Sequence, residues 1–224
     1  ERIDHTGNII EDLTPDAIKT LIELLENSGA EAVAVSFLFS FLNPSHEVMV
    51  LRALENMDRP PYISISSRVL PEFREYERAS TVVVNAYVGR VMSRYLKELE
   101  EPLGSGLRVM QSSGGSITAG LASEQPVRTI LSGPAGGVVG AFYTAVQAGY
   151  PDIITVDMGG TSTDVSLCPG EIKETTSANI GGHPIGVPMI DIHTVGAGGG
   201  SIARIDTGGA LVVGPESAGA EPGP

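Results

Sequence analysis

The chain has 224 residues, 42% of them hydrophobic, and a formal net charge of −13 at pH 7. That acidity makes nucleic acid and anionic membrane poor partners, and no stretch reaches the ~18 consecutive apolar residues of a membrane span. With no basic-plus-apolar leader at its start and a lone cysteine, Cys168, unable to form an internal disulfide, a cytoplasmic protein is the expectation.

The length allows one large domain or two small ones. Thr14-Pro15 predicts a helix start, an N-cap followed by proline at the first helical position. Ile18, Leu21, Ile22 and Leu25 keep helical spacing until Gly29 ends it. The apolar run Ala32 to Phe39 predicts a strand covered on both faces. Asn43-Pro44 opens a second helix with Val48, Leu51 and Leu54 turned inward, and Tyr62 to Ser66 is a second strand. Helix, strand, helix, strand is α/β grammar and implies parallel pairing. A strand is expected before Glu1, and the chain stops at Gly223-Pro224 in mid-loop, so a piece of a longer polypeptide is expected.

A long helix is predicted from about Glu72 to Glu101, with Val84, Tyr87, Val88, Val91, Tyr95 and Leu99 as its apolar stripe. Arg68, Arg74, Arg78, Arg90 and Arg94 lie along it or just before it, interleaved with Glu72, Glu75, Glu77 and Glu98. The spacing favours a solvated, salt-bridged helix over an anion site. All of the 28 glycines except Gly7, Gly29 and Gly89 lie from residue 104 onward, where the cations beyond Arg128 are Lys173 and Arg204 alone. Any phosphate bound in this half must therefore be held mainly by backbone amides and a metal.

Leu107 to Met110 reads as a strand entering a hydroxyl-and-glycine loop, Ser112 to Ser116, which is either a pocket wall or a plain connector. Thr129-Ile130-Leu131 predicts a strand, followed by a Gly133-Pro134 turn and a helix to about Ala148. Gly136 and Gly137 near that helix start suit an anion site; they, Gly140 and Ala141 equally suit close packing on a sheet.

The most informative stretch runs from Ile153 to Leu167. Ile153 to Val156 reads as a buried strand, and Val165 and Leu167 alternate as a returning one. The tip between them offers Asp157, Gly159, Gly160, Thr161, Ser162, Thr163 and Asp164. Glycines let backbone N–H groups approach an anion, and hydroxyls donate to phosphate oxygens. Two carboxylates repel phosphate unless a divalent cation lies between, so the pattern asks for Mg²⁺. A P-loop is excluded, since GxxxxGK[ST] is absent. The alternative is an ordinary tight hairpin whose Asp157 and Thr161 satisfy the turn.

Ile172 to Ile180 and Pro188 to Val195 read as further strands, the second entering Gly196-Ala197-Gly198-Gly199-Gly200-Ser201. That loop is an imperfect dinucleotide GxGxxG, with Ser201 at its third glycine position, or a glycine floor admitting a purine or phosphate. The second reading fits better beside a phosphate hairpin. His183, Asp191 and His193 form a metal-like set, although surface polarity of a half-exposed strand produces the same spacing.

With these motifs in hand, the chain resembles the hydantoinase A/5-oxoprolinase family, which includes N-methylhydantoinase A, ATP-dependent 5-oxoprolinase and the acetone carboxylase β subunit. The segments that carry the resemblance are LPEFREYERAS (70–80), TVVVNAYVGRVMSRYLKELE (81–100), LRVMQSSGGSI (107–117), RTILSGPAGGVVGA (128–141), ITVDMGGTSTDVSL (154–167) and PMIDIHTVGAGGGSIARID (188–206), with NPSHE (43–47) upstream. The resemblance implies an α/β, actin/Hsp70/sugar-kinase-like (RNase H-like) two-domain ATPase fold, truncated here at both ends. Residues 1–79 would close the family's N-terminal α/β domain, and 80–224 would begin its core domain.

By that resemblance Asp157, Gly159, Gly160, Thr161 and Asp164 match a second phosphate-binding hairpin, and Gly198, Gly199 and Gly200 match a glycine loop near the adenosine. The expected catalytic pair is Asp157 and Asp164, with Asp157 also the metal ligand. Expected ATP contacts are Gly136, Gly137, Gly159, Gly160, Thr161, Ser162, Thr163, Gly196, Gly198, Gly199, Gly200 and Ser201. The implied activity is ATP- and Mg²⁺-dependent ring opening of a cyclic amide such as 5-oxoproline or a hydantoin, by carbonyl phosphorylation. The partner it implies is a hydantoinase B-type subunit or fused domain. An ATP-using acetone or acetophenone-type carboxylase subunit and a non-catalytic nucleotide-binding module are the alternatives.

Overall fold

The computed structural model describes residues 1–104, 106–221 and 223. In chain order it begins with β1 (Arg2–Ile3), β2 (Ile9–Glu11), α1 (Pro15–Ser28), β3 (Ala32–Val35), α2 (Ser45–Glu55) and β4 (Tyr62–Ile65). Then come α3 (Ser66–Val69), α4 (Glu75–Leu103), β5 (Arg108–Met110), β6 (Ser116–Thr118), α5 (Ala119–Glu124) and α6 (Ser132–Gln147). The remaining elements are strands: β7 (Asp152–Met158), β8 (Thr163–Pro169), β9 (Glu174–Thr175), β10 (Ala178–Ile180) and β11 (His183–Ile185). They end with β12 (Met189–Ile190), β13 (His193–Val195), β14 (Ser201–Ile205) and β15 (Leu211–Ser217). Two compact units form: Glu1–Val109 with Ser116–Ile130 and Thr176–Pro188, and Met110–Gly115 with Leu131–Thr175 and Met189–Pro224. Among the described residues, no helix is long and apolar enough to cross a membrane.

In the first unit the sequence signals for α1 hold at both ends. The Thr14 hydroxyl accepts from the Ala17 N–H at 3.3 Å, Pro15 opens the helix, and Gly29 stops it with φ 66°. β3 and β4 pair in parallel, as the α/β pattern predicts, with Ala32 opposite Tyr62 and Val35 opposite Ile65. Val35, Val50, Leu51, Leu54 and Ile65 form the core between this sheet and α2, and Leu21, Ile22 and Leu25 of α1 pack on it. At ~1.5–3 kcal/mol for each fully buried aliphatic side chain, this cluster contributes on the order of 10 kcal/mol.

The apolar run predicted as one strand to Phe39 leaves the sheet after Val35. Polar groups from outside the run take the next backbone positions. The Phe37 N–H donates to Glu47 Oε1 at 2.9 Å, and Arg78 Nη2 donates to the Phe37 carbonyl at 2.7 Å. Phe39 then turns with φ 59°. Glu47 also accepts from the Ser66 hydroxyl at 2.6 Å and the Ser67 N–H at 2.8 Å. Arg78 also donates to the Glu72 carbonyl, pairs with Glu75 and stacks over Phe41. Both Glu47 and Arg78 are fully buried, so Arg78 is a structural clamp, contrary to the solvated helix predicted for it. Buried charges are tolerated only when hydrogen-bonded in this way.

α4 also differs in which face it buries. The predicted stripe residues Tyr87 and Val91 are 82% and 71% exposed. The inward face is instead Arg78, Thr81, Val82, Asn85, Ala86, Gly89 and Leu96. Its polar members have dedicated partners. Asn85 Nδ2 donates to Ser64 Oγ and to the Glu124 carbonyl, and its Oδ1 accepts from the Val127 N–H. The Thr81 hydroxyl accepts from the Gly186 N–H at 3.0 Å. A Cβ at Gly89 would lie 2.1 Å from the Tyr62 ring, whose hydroxyl is held by the Ser123 and Glu124 carbonyls.

The strand predicted at Thr129 to Leu131 is also absent. Pro126–Thr129 is a 3₁₀ turn, held through the Val127 N–H, and Leu131 enters α6 with φ 60°.

In the second unit β13, β8 and β7 form an antiparallel sheet in that order. Ile153 and Cys168 face a cluster with Ala135, Val138, Val139 and Phe142 of α6 and with Ile190. The period-2 alternation puts Ile154, Val156, Met158 and Leu167 on the opposite face, each above 60% exposed. The hairpin is therefore covered on one face only, not buried as its apolar composition predicts. The segment 172–180 is broken between β9 and β10 rather than continuous, and 188–195 between β12 and β13. In the second gap, the Asp191 carbonyl accepts from the Ser166 hydroxyl at 2.8 Å.

Candidate anion and metal site at the hairpin tip

β7 and β8 pair from Asp152 opposite Pro169 to Met158 opposite Thr163. The register places Asp157 directly opposite Asp164. Like charges across a ladder repel, by on the order of 1 kcal/mol in a watery setting. Among the described residues neither carboxylate has an ion-pair partner, and Lys173, one of the few cations of this half, pairs with Glu171. Asp164 accepts from the Thr194 hydroxyl at 2.5 Å across the β13 register, whereas the Asp157 carboxylate makes no hydrogen bond among the described residues. Its Oδ2 lies 3.8 Å from the position a Cβ would take on Gly137 of α6.

The tip closes when the Gly159 N–H donates to the Ser162 carbonyl at 3.0 Å. Gly160 and Thr161 are exposed and Ser162 is half-buried. Among the described residues, no hydrogen bond engages the N–H groups of Gly160, Thr161 and Ser162 or the hydroxyls of Thr161 and Ser162. Consecutive open amides at a tight turn form an anion-binding concavity. The Thr163 hydroxyl is engaged elsewhere, donating to the Ala197 carbonyl at 2.7 Å.

The 196–201 loop lies against this tip. Gly199 and Gly200 donate to the carbonyls of Gly159 and Gly160 at 2.9 and 2.8 Å, and the Gly198 N–H donates to Ser201 Oγ. The loop leads into strand β14 rather than a helix, which removes the dinucleotide reading, because that fingerprint opens a helix. On α6, a Cβ at Gly136 would meet Met110 at 3.5 Å, and one at Gly140 would meet nothing within 4 Å. Close packing therefore does not demand glycine at these two positions.

The donor set fits a magnesium–phosphate ligand. Mg²⁺ is commonly bound by one or two carboxylates plus substrate phosphates, and Asp157 offers an uncompensated carboxylate next to open amides. By itself the protein offers no cage: among the described residues no group of three or more His, Cys, Asp or Glu could hold a metal. Asp191 lies exposed in the gap between β12 and β13, and His193 is exposed on β13. Cys168 is fully buried in the apolar cluster, where its thiol is shut off from solvent. Sequence reasoning missed Thr194 and the Ala197 carbonyl, since only the strand register places them beside Asp164 and Thr163.

The hydantoinase/oxoprolinase model matches residues 78–224, and the model for the hydantoinase/oxoprolinase N-terminal region matches residues 1–58. The chain is 40% identical to caprolactamase subunit alpha of Pseudomonas jessenii, over 100% of this chain and 33% of that protein. The crystal structure of the ATP-dependent caprolactamase from the same organism superposes with a TM-score of 0.83, covering the same shares. A nucleotide-free acetone carboxylase structure superposes with a TM-score of 0.81 at 30% identity, over 97% of this chain and 32% of that one. 5-Oxoprolinase of Saccharomyces cerevisiae is 37% identical over 93% of this chain and 16% of its own length. The chain thus spans about a third of the caprolactamase subunit and less of the oxoprolinase.

Proposed function

The chain belongs to the hydantoinase/oxoprolinase family, and from that premise we propose that the intact protein couples ATP hydrolysis to ring opening of a cyclic amide. The observation that carries this reading is the hairpin tip, with open amides and hydroxyls beside an Asp157–Asp164 couple that has no ion-pair partner among the described residues. We read the tip as a phosphate hairpin of an actin/Hsp70/sugar-kinase-like ATPase, supported by its acidic-glycine-threonine composition and its seat on α6. In the same reading we put the seam between the family's N-terminal domain and its core at residues 79 and 80.

In this reading the N–H groups of Gly160, Thr161 and Ser162 and the hydroxyls of Thr161 and Ser162 donate to phosphate oxygens. Asp157 holds Mg²⁺, and Asp164, oriented by Thr194, adds the second negative charge that draws the cation to the tip. Gly136 and Gly137 keep the start of α6 open beside Asp157. A ring amide is a poor electrophile, and bound ATP supplies the phosphoryl group that converts its carbonyl oxygen into a leaving group. The protein contributes positioning and charge neutralisation. A hydantoinase B-type subunit or fused domain is the proposed partner, supported by the subunit named in the caprolactamase relative, and the cytoplasm is the proposed location.

The test uses the intact gene product with Mg-ATP and a panel of 5-oxoproline, caprolactam and hydantoins. Phosphate release stimulated by one of these rings is expected. Stimulation only by a ketone with bicarbonate would move the assignment to a carboxylase subunit, which the acetone carboxylase superposition favours as the second reading. Mg-ATP binding without any stimulated turnover would leave a nucleotide-binding module.

A further inference from the structure

We propose that the 196–201 loop is a brace that holds the anion-binding tip in shape, with Gly198 as its positioning residue, rather than a floor for the nucleotide base. This rests on the reading of the tip given above. A Cβ at Gly198 would stand 2.5 Å from the Gly159 carbonyl oxygen, 2.9 Å from the Gly160 carbonyl carbon and 2.9 Å from the Ser162 nitrogen. All three are backbone atoms of the tip, so no side chain can swing aside to admit a methyl group. At Gly200 a Cβ would stand 3.0 Å from the Gly160 oxygen. At Gly199 the nearest atom would be 3.7 Å away, and at Gly196 nothing lies within 4 Å. The need for glycine is thus concentrated where the loop touches the tip.

The hydrogen bonds agree with that distribution. Gly199 and Gly200 donate to consecutive tip carbonyls, and the Ala197 carbonyl takes the Thr163 hydroxyl at the first residue of β8. The loop is closed on itself by Gly198 and Ser201, each accepting the other's N–H through the Ser201 hydroxyl and the Gly198 carbonyl. It is backed by β15 and the residue after it: the Ala218 N–H donates to the Gly200 carbonyl, and a Cβ on Gly214 of β15 would stand 2.4 Å from the Gly196 oxygen. The amides of Gly198, Gly199 and Gly200 are all engaged within the protein, which leaves the amides of Gly160, Thr161 and Ser162 as the tip's open donors among the described residues.

The experiment compares wild-type intact protein with Gly198→Ala, Gly199→Ala and Thr163→Val. Two readouts are taken: hydrogen exchange, without nucleotide, of the Gly159, Gly199 and Gly200 amides, which close the tip and join the loop to it, and the Mg-ATP dissociation constant. Gly198→Ala is expected to speed tip exchange and weaken ATP by about tenfold or more, with a KM effect exceeding the kcat effect, since ~1.4 kcal/mol of lost preorganisation is a factor of ten. Gly199→Ala should have the smaller effect on both. If Gly198→Ala does not fold, Thr163→Val, which deletes only the bond to Ala197, decides by the same two readouts. Wild-type exchange and affinity in both variants, or a larger ATP effect at Gly199 than at Gly198, would overturn the brace. Faster tip exchange in Gly198→Ala from a wild type that binds no Mg-ATP would leave the brace standing and remove the nucleotide reading instead.

Discussion

Two regions built from motif residues of similar polarity behave in opposite ways. Around the turn at Phe37, Glu47 and Arg78 are fully buried, and each is matched by several partners. At the hairpin tip, Asp157, Thr161 and Ser162 keep donors and charge without partners among the described residues. Glu47 spends both carboxylate oxygens on protein donors, and Arg78 keeps only its buried Nε without a partner among the described residues; little capacity is left there for a ligand, whereas an exposed group aligned with open amides has all of it. The first cluster stabilises the fold, and the second is available for chemistry.

The sharpest way to break that comparison is to remove the buried acceptor of the first cluster. Glu47→Ala leaves the Phe37 and Ser67 N–H groups and the Ser66 hydroxyl without their acceptor, and a loss of about 4 kcal/mol is expected from these buried, charge-assisted bonds. Chemical denaturation checks it, and a loss under ~1 kcal/mol would show that water replaces the carboxylate.

Gly89→Ala should cost about 2 kcal/mol. Helix propensity favours alanine by ~1 kcal/mol, but the overlap with the tethered Tyr62 ring carries an overpacking cost of up to ~3 kcal/mol or more. A stabilised variant would mean the ring moves freely.

Asp157→Asn should change stability by less than ~0.5 kcal/mol, and upward if at all, because it relieves the repulsion with Asp164. In the intact protein the same change should reduce ATP turnover about a hundredfold or more, in the range of lost electrostatic stabilisation. Unchanged turnover alongside wild-type stability would place Asp157 with the turn-forming residues.

The smallest effect is a titration. Burial pushes the Tyr62 phenol up to about 12, with Glu124 adding to the shift and Asn85 opposing it. An unfolded tyrosine titrates near ~10, so the folded state binds the proton more tightly. Its contribution is fully present below pH ~10 and declines as pH rises toward about 12. Unfolding curves between these limits should slope downward in the wild type and less so in Tyr62→Phe.

Local signals in the sequence determined much of this molecule. Thr14-Pro15 and Gly29 bounded α1 correctly, because caps act within a few residues. The parallel pair β3–β4 and the hairpin β7–β8 followed from apolar runs and punctuation, and the acidic-glycine-hydroxyl tip was legible as a candidate site from composition alone. What the sequence could not decide was which groups are already engaged. The apolar stripe on α4 was misplaced because its buried face is made of Arg78, Thr81, Asn85 and Gly89, whose partners Phe37, Gly186, Val127 and Tyr62 are distant in the chain. In the same way, Thr163 and Gly198 to Gly200 read from the sequence as ligand donors, and only the fold shows their bonds to Ala197, Ser201, Gly159 and Gly160. Propensity and spacing are properties of neighbours along the chain, whereas satisfaction of a polar group depends on neighbours in space, which only the tertiary structure supplies.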